Sequence, residues 1–317
     1  MPSVVGFTVF GVDWEFLKPY IVLGLALGGV YALSGVGIVV LYRATGVLNV
    51  AFGAIGAAGA LISWYLVQHT GTPDVLAYLV AVAFGGVVTL LYGAVFGPAF
   101  AARDPLVKTM GTLGLALVLL GLMGWRAPPI AASVRALSLP TTDWTFRVAG
   151  ATVNVTQILA LSLALALTAG TAAYLRFTKL GTAMRALAND REISATLGVP
   201  VRRVEAAAWL GSGLICGAAG LLLAELLGSL AYDALTFTFV IGALAAALIG
   251  RLRVLWATFV GGVAIGLVQA VLTPYFSWPS PEQSVSKYRA VTPFVLAIIA
   301  LLWLGRRRVA TISRTAR

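Results

Sequence analysis

The 317-residue sequence contains little charge, since Asp, Glu, Lys and Arg together make up only 10% of it. Soluble domains carry roughly a quarter of their residues as charged side chains. Hydrophobic residues account for 60%, and the mean hydropathy is +0.96. This composition excludes an ordinary soluble domain and predicts a membrane protein.

Side chains that perform enzymatic chemistry are nearly missing. The chain has one histidine, His69, and one cysteine, Cys216. A histidine-based metal site or catalytic triad therefore lacks its partners, and an internal disulfide cannot form. We predict no catalytic, metal-binding or cofactor-binding residues, a chain that is not an enzyme, and a packing role for Cys216.

A phosphate-binding loop of the form GxxxxGK[ST] is also missing from the sequence. The chain therefore cannot bind and hydrolyse nucleotide in the manner of P-loop proteins. If it moves a solute actively, the energy must come from another subunit or from an ion gradient.

What the sequence does contain is long apolar runs, and about 20 apolar residues suffice to cross a bilayer as a helix. The runs without a charged residue are 19–42, 44–73, 75–102, 109–125, 148–175, 206–224, 234–250, 254–281 and 290–305. The runs at 109–125, 234–250 and 290–305 are short enough to be broken or re-entrant helices. We predict an all-α polytopic membrane protein, with about eight to ten transmembrane or re-entrant helices in one domain over 1–317.

The distribution of Lys and Arg predicts the orientation. With the N-terminus outside, 16 of the 22 basic residues fall on the cytoplasmic side, including those of the tail at 305–317. This bias is typical of a bacterial inner-membrane protein. Because the charges are scattered over loops on one face, they favour contact with membrane lipid over nucleic-acid binding.

Glycines four residues apart predict where helices pack closely. Such pairs place both members on one helix face, so that a neighbouring backbone can approach. Three such pairs are Gly24 with Gly28, Gly213 with Gly217, and Gly262 with Gly266.

The stretch "RATGVLNVAFGAIGAAGA" at 43–60 combines small residues with a single strongly polar side chain after Arg43, namely Asn49. One interpretation is a broken helix near a translocation path, because glycines weaken the helix and a buried amide must find partners. The other is that Asn49 caps the second span, with Gly46 ending the turn before it. The two interpretations are compatible.

Two outer regions carry further expectations. The loop from about Arg126 to Asn154 ends in alternating Thr, Val and Phe residues, which predicts a short hairpin. Glu225 and Asp233 flank the outer turn between the sixth and seventh spans. Both carboxylates are predicted to be exposed there, although a role in proton relay or cation binding is the alternative.

The charged stretch "LGTAMRALANDREISATLG" at 180–198 predicts one cytoplasmic helix of about four turns. Thr182 is its expected N-cap, Gly198 suits the left-handed position after it, and Pro200 prevents continuation. Helical spacing separates two apolar patches, which suggests a helix held on two sides. These patches are Met184, Ala188 and Ala195 on one face, and Ala186, Ile193 and Leu197 on the other.

The segment "MRALANDREISATLGVPVRRVEAAAWLGSGLICGAAGLL" resembles the coupling-helix region of permease subunits from bacterial ABC importers of the branched-chain amino acid type, the LivH-like family. In importers this region carries a Glu followed six positions later by Gly, as Glu192 and Gly198 are here. Further similar segments are "YRATGVLNVAFGAIGA" at 42–57, "WATFVGGVAIGLVQAVL" at 256–272 and "RAVTPFVLAIIALLWLG" at 289–305. The resemblance thus spans nearly the whole chain.

The resemblance implies a heteromeric importer in which ATP and Mg²⁺ bind to other subunits. Its implied partners are a second, LivM-like permease, two ATPase subunits and an extracytoplasmic solute-binding protein. A coupling helix within 180–203, between the fifth and sixth spans, would dock on an ATPase and move the attached spans. The residues implied in this docking are Arg185, Asp190, Arg191, Glu192 and Gly198, and those implied in the translocation path are Asn49, Phe52 and Gly53.

Phe52 departs from the family pattern, in which this position before the glycine is usually Gln or His. An aromatic side chain makes the predicted path bulkier and less polar. The expected solute is a branched-chain or other hydrophobic amino acid, or a related aromatic or carboxylate compound. A urea or short-amide permease and an ion-coupled secondary transporter are the alternatives, although the latter usually needs ionisable groups at the membrane midplane.

Overall fold

The computed structural model describes residues 8–9, 12–100, 103–126, 144–148, 151–228, 230–276, 292–296, 298–299 and 302. Their elements, in chain order, are β1 (Thr8–Val9), β2 (Val12–Asp13), α1 (Trp14–Thr45), α2 (Phe52–Thr70), α3 (Asp74–Phe100), α4 (Pro105–Arg126), β3 (Thr145–Val148), β4 (Ala151–Asn154), α5 (Val155–Phe177), α6 (Lys179–Asn189), α7 (Arg191–Thr196), α8 (Val201–Leu227), α9 (Tyr232–Ile249) and α10 (Leu255–Phe276). Residues 292–296 are also helical. The prediction of an all-α polytopic membrane protein is confirmed.

Among the described residues, seven helices are long and apolar enough to cross a bilayer: α1, α3, α4, α5, α8, α9 and α10. Several of the helices end where glycine adopts a left-handed backbone, which closes a helix without a Cβ clash. Gly46, Gly71 and Gly228 have φ values of 70°, 64° and 58° after α1, α2 and α8. Seven of the nine predicted runs therefore fold as spans of this kind, while the run 44–73 contains the less apolar α2 and the run 290–305 lies partly outside the described residues.

Helix α2 does not belong to that set of seven, yet it lies at the centre of the bundle. Its residues 52–60 are all buried, and it packs against α3, α4, α8 and α9. Helix α1 is the other central element, and 78% of the residues in its most apolar stretch are buried. The core of the molecule thus consists of α1 and α2, with the remaining helices around them.

The predicted glycine pairs form two close helix contacts. A Cβ on Gly28 of α1 would lie 2.6 Å from the Val263 carbonyl oxygen of α10, and Gly266 of α10 in turn lies against the Gly28 backbone. Gly24 and Gly262 belong to the same seam. On α8, Gly213 and Gly217 pack in the same way against α3. The prediction of close packing is therefore confirmed, and the first and third pairs are partners of each other.

The helix directions give the bundle two ends. The α6–α7 end contains α6 and α7, the end of α1 and the turn between α9 and α10, where Arg43 Nη1 donates to the Arg253 carbonyl oxygen at 3.4 Å. The α2–α3 end contains the turn at Gly71 and the antiparallel hairpin of β3 and β4 before α5. This hairpin confirms the one predicted at the end of the loop from Arg126 to Asn154.

Two expectations differ from the structure. The run 109–125 belongs to a full span, because α4 begins at Pro105, before the charged Lys108. Glu225 is buried at 9% exposure, so its predicted exposure is wrong, while Asp233 is exposed as predicted. The reason is that α8 continues to Leu227, which keeps Glu225 within the packed helix.

Candidate functional site

Residues 46–51 form a non-helical segment that leads from the end of α1 into the interior of the bundle. Its backbone is satisfied by a side chain of α4: Val50 N donates to Thr112 Oγ1 at 3.0 Å. The same hydroxyl lies 3.1 Å from the Leu48 carbonyl oxygen and 2.7 Å from that of Thr109. Irregular backbone at membrane depth is tolerated where protein groups bond to it in this way.

The N-terminus of α2 lies deep in the bundle. Cys216 Sγ of α8 donates to the Phe52 carbonyl oxygen at 2.8 Å, and the Phe52 ring lies beside Gly37 of α1. At 1.5 Å per helical residue, Gly37 is about 12 Å along α1 from its last residue, Thr45. The first turn of α2 therefore begins inside the bundle, as the broken-helix interpretation of 43–60 predicted.

Asn49 lies within this segment and is only 1% exposed. Neither its Oδ1 nor its Nδ2 has a hydrogen-bond partner among the residues that the structure describes. The residue that precedes α2 is Ala51, with no side-chain capping bond, so the interpretation of Asn49 as the cap is wrong. An unpartnered amide therefore lies buried close to the N-terminus of α2.

Phe52 and Gly53 pack tightly against α9. The Phe52 ring is fully buried, and its centroid lies 5.4 Å from that of Phe239. Gly53 meets the backbone carbonyl of Thr236 so closely that a Cβ would clash with it. The aromatic side chain thus fills space beside α9, and the role of both residues in a path stays a prediction.

The stretch predicted as one helix at 180–198 forms two helices. Thr178, and not Thr182, is the N-cap of α6, because its Oγ1 accepts from Gly181 N at 2.9 Å. The chain then extends at Asp190, whose Oδ1 accepts from Ile193 N at 2.9 Å and begins α7. The prediction of a single helix was wrong because Asp190 caps a new helix, α7, instead of continuing α6. Gly198 has a φ of 84°, the left-handed conformation that was predicted.

The two helices present one face to the bundle and another to the surroundings. Gly181, Met184 and Leu187 of α6 are buried. Ile193 of α7 is 59% exposed, and Leu197, which follows α7, is 79% exposed. We define the α7 outer surface as residues 192–193 and 195–197, all exposed. Ala188 and Ala195 are exposed as well, so they do not share the buried face of Met184 as predicted.

An ion pair joins α7 to the long helix α8. Arg191 Nη2 lies 2.9 Å from Glu205 Oε1, with side-chain exposures of 38% and 16%. Arg185, by contrast, donates to Thr182 Oγ1 on its own helix at 3.2 Å. Sequence reasoning missed Glu205, although it is the acidic residue that follows the basic pair Arg202 and Arg203. The pair gives α7 a direct connection to a membrane-spanning helix.

Comparison with known proteins covers nearly the whole chain. Residues 20–303 match the family described as "Branched-chain amino acid transport system / permease component". The high-affinity branched-chain amino acid transport system permease protein LivH of Salmonella typhimurium is 23% identical, over 88% of this chain and 91% of that protein. The corresponding permease protein BraD of Pseudomonas aeruginosa is 24% identical, over 91% and 96%. A probable branched-chain amino acid transport permease protein LivH of Methanocaldococcus jannaschii is 26% identical, over 77% and 78%.

Proposed function

Because the chain belongs to the family of branched-chain amino acid transport system permease components, we propose that it forms the transmembrane path of an ATP-driven importer. The proposed solute is a branched-chain or other hydrophobic amino acid. The family match over residues 20–303 carries this proposal, and the bundle of membrane-spanning helices is consistent with it. The chain is a transporter subunit, and ATP hydrolysis is assigned to separate ATPase subunits.

We propose that the α7 outer surface docks on an ATPase. Ile193 and Leu197 leave apolar area exposed next to the acidic Glu192, in a segment too short and too polar to enter the bilayer. A protein groove would cover these side chains. Asp190 and Gly198 would hold the ends of α7, while Arg191 would transmit its movement to α8 through Glu205.

We propose that the solute passes the N-terminus of α2. The first backbone N–H groups of a helix attract anions, and the Asn49 amide beside them has no partner among the described residues. Together they could hold the carboxylate of an amino acid, in the way that discontinuous membrane helices bind anionic groups. Phe52 and Gly53 would then set the size of the path at this point.

The proposed assembly has a second, LivM-like permease, two ATPase subunits and an extracytoplasmic solute-binding protein. The proposed location is a bacterial inner membrane with the α6–α7 end in the cytoplasm, because most of the basic residues lie at that end. Alternating closure of the ATPase pair would tilt α7 and α8 and open the path to either side.

Reconstitution of the importer tests the proposed function. We expect uptake of radiolabelled leucine into proteoliposomes to require both the ATPase subunits and ATP. Glu192→Ala and Leu197→Asp should each lower uptake at least tenfold, by weakening the ATPase contact. Thr182→Asp is the matched control, since Thr182 is exposed on α6 outside the α7 outer surface.

Two results would contradict the proposal. Uptake driven by an ion gradient without ATPase subunits would indicate a secondary transporter. Full uptake and normal ATPase retention in both α7 variants would remove the docking assignment, while leaving the permease function itself in place.

A further inference from the structure

A cavity of about 620 Å³ opens at the α6–α7 end, between the end of α1, α6 and the turn before α10. Arg43, Arg185, Arg191 and Arg253 all line it. No Asp or Glu is among the described residues that line the cavity. The cavity therefore concentrates positive charge from four separate elements of the fold.

Only one of these arginines is neutralised by an ion pair within the described part of the chain. Arg191 pairs with Glu205 at 2.9 Å, while Arg43, Arg185 and Arg253 have no carboxylate of a described residue within ion-pair distance. Like charges that face one cavity repel each other. Such an arrangement is stabilised when an anion enters.

The turn that presents Arg253 is held in an unusual conformation. Arg251 and Leu252 both have positive φ values, 52° and 53°, which non-glycine residues adopt only at a cost. Backbone strain of this kind persists at ligand-binding sites, where the surrounding structure enforces it. The backbone of Arg253 is held at the cavity as well, because its carbonyl oxygen accepts from Arg43 Nη1.

We propose that this arginine cavity binds the phosphate of an anionic lipid headgroup. The planar guanidinium matches two phosphate oxygens at once, and Tyr42 and Asn189 add further donors to the lining. One wall is the last turn of α1, a membrane-spanning helix, so the cavity lies at the depth of the headgroups. Because α6 forms the opposite wall, a bound lipid would brace the coupling segment against α1.

Carboxylates of an ATPase subunit are the competing occupant. Of the residues that the resemblance implies in docking, Arg185 and Arg191 line the cavity, but the α7 outer surface proposed to meet the ATPase does not. Its walls instead combine the end of a membrane span with the turn before another span. The geometry therefore favours lipid over a protein partner.

Titration of the purified importer complex with phosphatidylglycerol tests the proposal, with bound lipids counted by native mass spectrometry. We expect Arg253→Gln to weaken the apparent affinity about tenfold, which corresponds to about 1.4 kcal/mol. Arg253→Lys, which keeps the charge, should recover most of this loss. Arg103→Gln is the control, because Arg103 is exposed in the turn before α4 and does not line the cavity.

Four outcomes would overturn the proposal. The first is unchanged phosphatidylglycerol binding in both Arg253→Gln and the second variant Arg43→Gln. The second is an equal loss of binding in Arg103→Gln, which would indicate unspecific attraction. The third is displacement of the lipid by a tenfold excess of inorganic phosphate, which would indicate a soluble anion. The fourth is release of the ATPase subunits from Arg253→Gln with lipid binding intact.

Discussion

At the scale of single residues, Asn49 stands apart because it buries an amide without a hydrogen-bond partner among the described residues. A buried polar group left unpaired costs about 1–3 kcal/mol of stability. Such costs persist at functional sites, where a ligand supplies the missing bonds. The neighbouring Phe52, by contrast, is fully packed against Phe239.

We predict that Asn49→Leu will stabilise the resting importer and abolish transport. Removal of the unpaired amide should raise the apparent unfolding midpoint, by a change of about 1–3 kcal/mol. Leucine uptake should fall at least tenfold, because the solute carboxylate loses a donor. Scanning fluorimetry and uptake assays measure the two effects, and a destabilised Asn49→Leu with normal uptake would show that the amide is structural.

At the scale of helices and their contacts, glycine decides how closely the spans approach. The seam between α1 and α10 depends on Gly24, Gly28, Gly262 and Gly266, where any Cβ would meet opposing backbone. Gly170 of α5 has no atom within 4 Å of the corresponding position, so a side chain fits there. Each seam glycine has another glycine four residues away, whereas Gly170 has none.

We predict that Gly28→Val will prevent normal folding, whereas Gly170→Val will be tolerated. The added side chain at residue 28 overlaps the Val263 backbone, and overpacking of this kind costs about 1–3 kcal/mol or more. Size-exclusion profiles of the two detergent-solubilised variants provide the measurement. Equal yields of monodisperse protein would show that the α1–α10 seam can open.

The ion pair between Arg191 and Glu205 belongs to the same scale, because it connects α7 to α8. We predict that Arg191→Glu and Glu205→Arg will each lower the ratio of solute transported to ATP hydrolysed about threefold. The double charge reversal should restore this transport ratio. The double-mutant cycle should then give an interaction energy of about 1 kcal/mol. Failure of the reversal to restore coupling would mean that the pair only supports packing.

At the scale of the whole molecule, the two ends of the bundle differ in charge and in shape. The α6–α7 end carries Arg43, Arg185, Arg191 and Arg253, while the α2–α3 end carries the β3–β4 hairpin. By the positive-inside rule, the first end is the one that we propose to lie in the cytoplasm. Cys216, the single cysteine, is buried and gives little background in labelling experiments.

We predict that a membrane-impermeant maleimide will label Gln68→Cys in intact cells and Thr182→Cys only after permeabilisation. Gln68 is exposed near the end of α2, and Thr182 is exposed on α6 at the opposite end. In intact cells, we expect near-complete labelling of Gln68→Cys and no labelling of Thr182→Cys. The reverse pattern would show that the α6–α7 end faces outside.

The sequence by itself determined the fold class, most of the spans and the seams, because hydrophobic length and small-residue spacing are local properties. It also located the interruption at 43–60, since glycine and asparagine weaken a helix wherever they occur. Only the tertiary structure decided that Asn49 is buried without capping α2, that Asp190 divides the stretch 180–198 into two helices, and that Glu225 is enclosed. It also brought four arginines from different elements to one cavity. These features depend on which residues meet across the fold, and that information lies in packing between distant segments, not in the spacing along any one of them.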